Sequence, residues 1–101
     1  MSDKELIELM AQKNGYEIVD TKLREEIAEL QLAFARFDFA SVLKIDASSQ
    51  KMTYLLNNII EEFVDVEIMM SQLKCFIKKD IYDLMRQKKI ENLKRLINAD
   101  V

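Results

Sequence analysis

The stretch "IIEEFVDVEIMMSQL", residues 59–73, decides how this chain is read. Its apolar residues recur at three- and four-residue steps, the period of an α-helix, and they cover nearly every side of it. A helix that apolar belongs inside a fold, yet Glu62 and Asp65 stand in the middle of it. Carboxylates are seldom fully buried unless something pairs with them. The rest of the chain must therefore be searched for their partner.

Composition sets the frame for that search. The 101 residues suffice for one domain around one core, so residues 1–101 are read as a single domain. Half of them are hydrophobic and 33% are charged, the balance of a folding chain rather than a disordered one. There is no Pro and one Gly, so the chain lacks the punctuation of hairpins and sandwiches. With its Leu, Ile, Glu, Lys and Met, this points to an all-α fold of about four helices in an antiparallel, bundle-like arrangement.

The formal net charge of −3 provides no basic footprint for nucleic acid. No apolar run approaches a membrane span, and "MSDKELIELM" carries charges at helical spacing rather than a signal peptide, so a cytoplasmic location is expected. Cys75 is alone, which excludes an internal disulfide and predicts a small buried hydrophobe within a helical run. The absence of His removes the commonest general base, the triads built on it, and most zinc or di-iron sites.

Ser2 and Glu5 form a capping box that opens a helix running to about Lys13, and Asn14-Gly15 stops it with Gly15 as a left-handed cap. "YEIVD" reads as a short connection, with Asp20 capping a second helix over residues 21–37. "DFASVLKIDASSQ" breaks the period and reads as a loop, with at most one extra helical turn. Ser48 or Ser49 caps a long third helix over residues 50–77, and Asp80 a fourth over 80–97.

The second helix supplies a counterpart to the pair at 62 and 65. Leu23, Ile27, Leu30, Phe34 and Phe37 fall on one stripe. Glu26 lies about 40° off its edge and Glu29 about 60° beyond, while Glu25 points to nearly the opposite side. Ala33, small, leaves room beside the pair. On the third helix the same arithmetic places Glu62 among Leu55, Met69 and Leu73, with Asp65 about 60° round. If the two helices pack antiparallel, the pairs face each other. Four carboxylates gathered there repel unless protonated or neutralised by cations. A set of oxygen ligands without His suits Mg²⁺, or Mn²⁺, rather than di-iron.

"EEIAE" at 25–29 followed by "EFVD" at 62–65 resembles the EExxE…ExxD signature of the MazG-like all-α NTP pyrophosphatases. Their apolar frames, "KLREEIAEL" and "IIEEFVDVEIMMSQLK", agree, and the resemblance spans roughly residues 16–97. It implies a Mg²⁺-dependent enzyme that cleaves a nucleoside triphosphate between its α and β phosphates, giving monophosphate and pyrophosphate. It also implies Glu26, Glu29, Glu62 and Asp65 as metal ligands; a carboxylate not fully engaged by metal, Glu29 or Glu62, is then expected to orient the attacking water. Glu25 matches the motif's first Glu but is left an outer or subunit-contact role.

The family's basic residue and Asn on the last core helix match Lys88 or Lys89, Asn92 and Arg95, which would contact phosphate. The 32 residues between Glu29 and Glu62 exceed the family's usual spacing, and the surplus is expected in a longer loop after Phe39. Without Trp, any base stacking falls to Phe37, Phe39 or Tyr54, each read first as core.

The third helix has a second apolar face, Leu56, Ile60, Val64 and Ile68, which four helices can scarcely cover. A homodimer or higher homo-oligomer is therefore expected, as the resemblance also implies. Two other readings compete: a helical interaction protein that keeps the fold without catalysis, and a pyrophosphohydrolase of phosphoribosyl nucleotides.

Overall fold

The computed structural model describes residues 1–99. They form α1 (Asp3–Asn14), α2 (Tyr16–Val42), α3 (Gln50–Lys74) and α4 (Lys79–Ala99), with no strand among the described residues. The fold is all-helical, as expected. No helix among these residues is long and apolar enough to cross a membrane.

The helix starts follow side-chain chemistry. At α1 the Ser2 hydroxyl accepts the Glu5 backbone N–H at 3.1 Å and donates to the Glu5 carboxylate at 3.1 Å. At α3 the Ser49 hydroxyl accepts the Met52 N–H at 3.2 Å, satisfying a donor that the first turn leaves free.

Between α1 and α2 a single residue turns the chain. Gly15 has φ 81° and ψ 162°, so it is extended with positive φ rather than the left-handed cap expected from the sequence. "YEIVD" is consequently not a connection but the first turns of α2, and Val19 within it is fully buried. Asp20 is not a cap; it pairs with Arg24 one turn on, at 3.2 Å.

α2 also runs past 37 to Val42, because Phe37 and Ala40 continue its buried face. The connection to α3 is then seven residues, 43–49, tightened by Lys44 at φ 58° and by Asp46, whose carboxylate accepts the Ser48 N–H at 2.9 Å. Of the twelve residues expected between the second and third helices, 38–49, five continue α2 and seven form the loop.

α3 ends at Lys74, three residues before the expected stop. The N–H groups of Cys75, Phe76 and Ile77 bond the carbonyls of Gln72, Leu73 and Lys74, each three residues back. Cys75 lies in this turn and is exposed rather than buried. α4 starts one residue earlier than expected, so Asp80 is inside its first turn.

α2 and α3 are an antiparallel pair. Ala40 meets Met52 and Leu55 at the loop end, while Tyr16 stacks edge-on against Phe76 at 5.8 Å at the other. Each helix turns a seam of alternating four- and three-residue steps toward its neighbour. On α2 this seam is Val19, Leu23, Glu26, Leu30, Ala33, Phe37 and Ala40; on α3 it is Met52, Leu55, Ile59, Glu62, Val66, Met69 and Leu73. All of these are buried or half-buried. Such steps are the pattern of helices that interdigitate at a shallow crossing angle.

The seam on α2 is rotated about 50° from the stripe of Leu23, Ile27, Leu30, Phe34 and Phe37. Ala33 and Ala40 let α3 approach on that side, and Ile27 and Phe34 remain 39% and 45% exposed.

α1 lies across both partners and buries Ala11. α4 packs along none of the other helices and buries no residue. Only its first turn is held, by the Lys74 ammonium 4.2 Å above the Tyr82 ring. The radius of gyration is correspondingly 18.0 Å, against about 13 Å for a compact chain of this size. The compact four-helix bundle is thus not formed within one chain: three helices pack and the fourth projects.

Candidate metal centre

Glu26 and Glu62 occupy seam positions, where a coiled interface ordinarily places apolar residues. Because the helices are antiparallel, the two fall at the same level and meet across the interface. One turn along their helices, Glu29 and Asp65 stand on the same flank of the hairpin. Carboxylate oxygens of Glu26, Glu62 and Asp65 all lie within 4.8 Å of one another. Glu29 lies close enough to Glu26 and Glu62 for its charge to raise both carboxyls. All four residues expected to bind metal are thereby brought together by α2 and α3 alone.

The cluster is electrostatically unfavourable as it stands. One oxygen of Glu26 and one of Glu62 are out of contact with water and lack any hydrogen-bond partner. The ion pairs among the described residues join Arg24 to Asp20, Lys79 to Asp83 and Lys94 to Glu91, and none reaches the four carboxylates. Desolvation, with the neighbouring charges of Glu29 and Asp65, pushes the Glu26 carboxyl from its ordinary 4.5 up to about 7. Glu62 is raised in the same direction by desolvation and by Glu29. Protons, or a cation in their place, are what such a group of oxygens demands.

The donor set fits a hard divalent cation. Ligands on an octahedral Mg²⁺ stand about 3 Å apart when adjacent and about 4.2 Å when opposite, so a set already within 4.8 Å of one another is of the size that could close round such an ion. Asn58, half-buried, lies one turn before Glu62 and two before Asp65, and offers a neutral oxygen on that flank.

The other sequence-derived site residues lie elsewhere. Lys88, Lys89, Asn92 and Arg95 are exposed along α4, beyond the first turn that Lys74 reaches at Tyr82, and α4 does not pack along α2 or α3 of its own chain. Glu25 is exposed on α2. Phe37 packs against the cluster of Ala40, Met52 and Leu55, whereas Phe39 and Tyr54, expected as core, are 65% and 69% exposed. A cavity of about 590 Å³ opens between α1, the end of α3 and the start of α4, and none of the four carboxylates lines it.

Fold and site together define an antiparallel helix pair whose seam is interrupted at mid-height by a carboxylate cluster able to hold a divalent cation. Comparison with protein-family models, with curated proteins and with solved structures finds no match for this chain.

Proposed function

We propose that this protein is a Mg²⁺-dependent nucleoside triphosphate pyrophosphohydrolase, cytoplasmic and homo-oligomeric, that converts an NTP or dNTP to its monophosphate and pyrophosphate. The observation that carries the reading is the pairing of Glu26 and Glu62 inside the seam, each with an oxygen that has neither water nor partner. A chain selected only for stability gains nothing from two carboxylates there, because hydrophobic residues of similar volume pack as well without the repulsion. The resemblance of "EEIAE" and "EFVD" to the MazG-like signature supplies the reaction class.

Phosphoryl transfer of this kind needs neutralised phosphate oxygens and a water aligned for in-line attack. Glu26, Glu29, Glu62 and Asp65 would hold Mg²⁺, or Mn²⁺, which when bound draws charge from the triphosphate and acidifies a coordinated water. Glu29, the most exposed seam-side carboxylate of the group, or Glu62 would orient that water. Cations at Lys88 or Lys89 and Arg95, with Asn92, would complete the phosphate contacts if α4 is brought to the site.

A second reading, a helical interaction protein without catalysis, is favoured by the extent of exposed apolar surface on α2, α3 and α4. One experiment separates them: release of pyrophosphate from a panel of canonical and modified (d)NTPs and phosphoribosyl nucleotides, with Mg²⁺ and with EDTA. Metal-dependent pyrophosphate and monophosphate from a triphosphate is the result expected. Turnover confined to phosphoribosyl nucleotides would move the substrate class. No turnover, with a melting temperature indifferent to Mg²⁺, would overturn the enzyme reading.

A further inference from the structure

α4 is a 21-residue helix that buries nothing. Ile81, Leu84, Met85, Leu93, Leu96 and Ile97 on it are 48% to 67% exposed. On α3, Leu56, Ile60, Phe63, Val64, Ile68 and Met70 are exposed to a similar degree, outside the seam that meets α2. Runs of exposed apolar residues on two helices of one small chain are the kind of surface that marks an interaction site.

The chain's own hinge keeps these faces apart. Residues 75–78 separate α3 from α4, and the hinge is built rather than slack: three successive backbone hydrogen bonds, Phe76 against Tyr16, and Lys74 over Tyr82 hold it. With that turn in place, α4 points away from the hairpin.

Charge identifies the complementary surface. α4 carries six cations, Lys79, Arg86, Lys88, Lys89, Lys94 and Arg95, against Asp80, Asp83 and Glu91, an excess of three positive charges. The whole chain is −3, so the remainder carries −6. Glu67 stands on the outer apolar face of α3 and Glu61 at its edge, both exposed. A basic amphipathic helix and an acidic-edged apolar face match each other, and every copy of the chain carries both.

We propose that α4 is an exchange arm: in a homodimer each chain lays its α4 on the outer face of its partner's α3, around Leu56, Ile60, Val64 and Ile68. The arm is about 31 Å long and roughly 10 Å wide. Two reciprocal arms then bury on the order of 1,200 Å² over all surfaces, the lower edge of what stable dimers use. The two arm-on-face contacts are related by the two-fold axis of the dimer, so the interface as a whole is isologous and the reciprocal exchange closes at two copies. This goes beyond self-association in naming the two surfaces, and it does not depend on the metal reading.

The test is sedimentation velocity on the full chain and two variants. Met85→Glu/Leu96→Glu spoils the arm on residues nearly in line along α4, and Ile60→Glu spoils the receiving face. All three substitutions are at exposed positions, so far-ultraviolet circular dichroism should remain helical. Wild type is expected to be a dimer, and each variant to associate more weakly by over about 30-fold, the cost of seating an unpaired carboxylate on an apolar face. Mixing the two variants restores one intact arm-and-face contact, so an equimolar mixture should dimerise more strongly than either alone. A monomeric wild type, a dimer indifferent to the arm substitutions, or a mixture no stronger than its components would each overturn the exchange.

Discussion

If the four carboxylates form one cation site, metal and protons compete for it, and the pH at which they do so is set by Glu26. Its carboxyl is pushed up to about 7 by burial and by Glu29 and Asp65. Two pH units lower, at pH 5, it is about 99% protonated and an incoming cation must displace that proton, so apparent affinity should fall about 100-fold relative to pH 8 and above, equivalent to about 2.7 kcal/mol. An ordinary glutamate at 4.5 would cost less than about twofold over the same range. Glu62, raised in the same direction, steepens the dependence.

Isothermal titration with Mg²⁺ or Mn²⁺ from pH 5 to 8 measures this directly. Repeating it in buffers of different ionisation enthalpy counts the protons released, close to one per ion at pH 6. Glu26→Gln should bind more weakly at pH 8 and lose most of the pH dependence. Equal affinity at pH 5 and pH 8, or binding without proton release, would refute the proposed coupling of Glu26 to the cation.

The same group makes the metal-free protein sensitive to alkali. Because Glu26 keeps its proton in the folded chain up to about 7 while the unfolded chain loses it near 4.5, its contribution to stability is greatest below pH 4.5 and declines as pH rises toward 7. Thermal melts in EDTA should therefore fall in midpoint from pH 5 to pH 8, and by less in Glu26→Gln. Gly15→Ala should destabilise by about 1–3 kcal/mol in chemical denaturation, because φ 81° with ψ 162° is a region only glycine occupies freely. That holds although the added methyl would meet nothing within 4 Å. Ala33→Leu, at a seam position 1% exposed beside the carboxylates, should cost about 1–3 kcal/mol by overpacking and weaken cation binding in the same titration.

Much of this was legible from residue types alone. The lack of Pro, the single Gly and the helical period of residues 59–73 point to helices throughout, and Ser2 and Ser49 cap where a hydroxyl before an apolar run should. The four-carboxylate group was also legible, given antiparallel packing, because both i, i+3 pairs lie beside the core-facing surface of their helix. Its exact depth was not. Choosing Ile27 and Phe34 over Val19, Ala33 and Ala40 for the α2 seam favours bulk over small size, whereas close helix approach selects the small residues.

The extent of α2 was misread for a related reason. Tyr16–Asp20 lacks strong helix formers apart from Glu17, and its helicity comes from burying Val19. The placement of α4 was beyond pattern reading altogether: its amphipathic sequence specifies that one face wants cover, and nothing in the periodicity says which chain supplies it.

The central claim is that the carboxylates in the seam exist for chemistry, and comparing Glu62→Gln with wild type tests it most directly. Both are assayed for Mg²⁺-dependent pyrophosphate release from the best triphosphate in the panel, with helicity checked alongside. The variant is expected to stay helical while its rate falls by about two orders of magnitude or more, the scale at which loss of one charge-stabilising group is felt. A variant that keeps near wild-type turnover would contradict the claim.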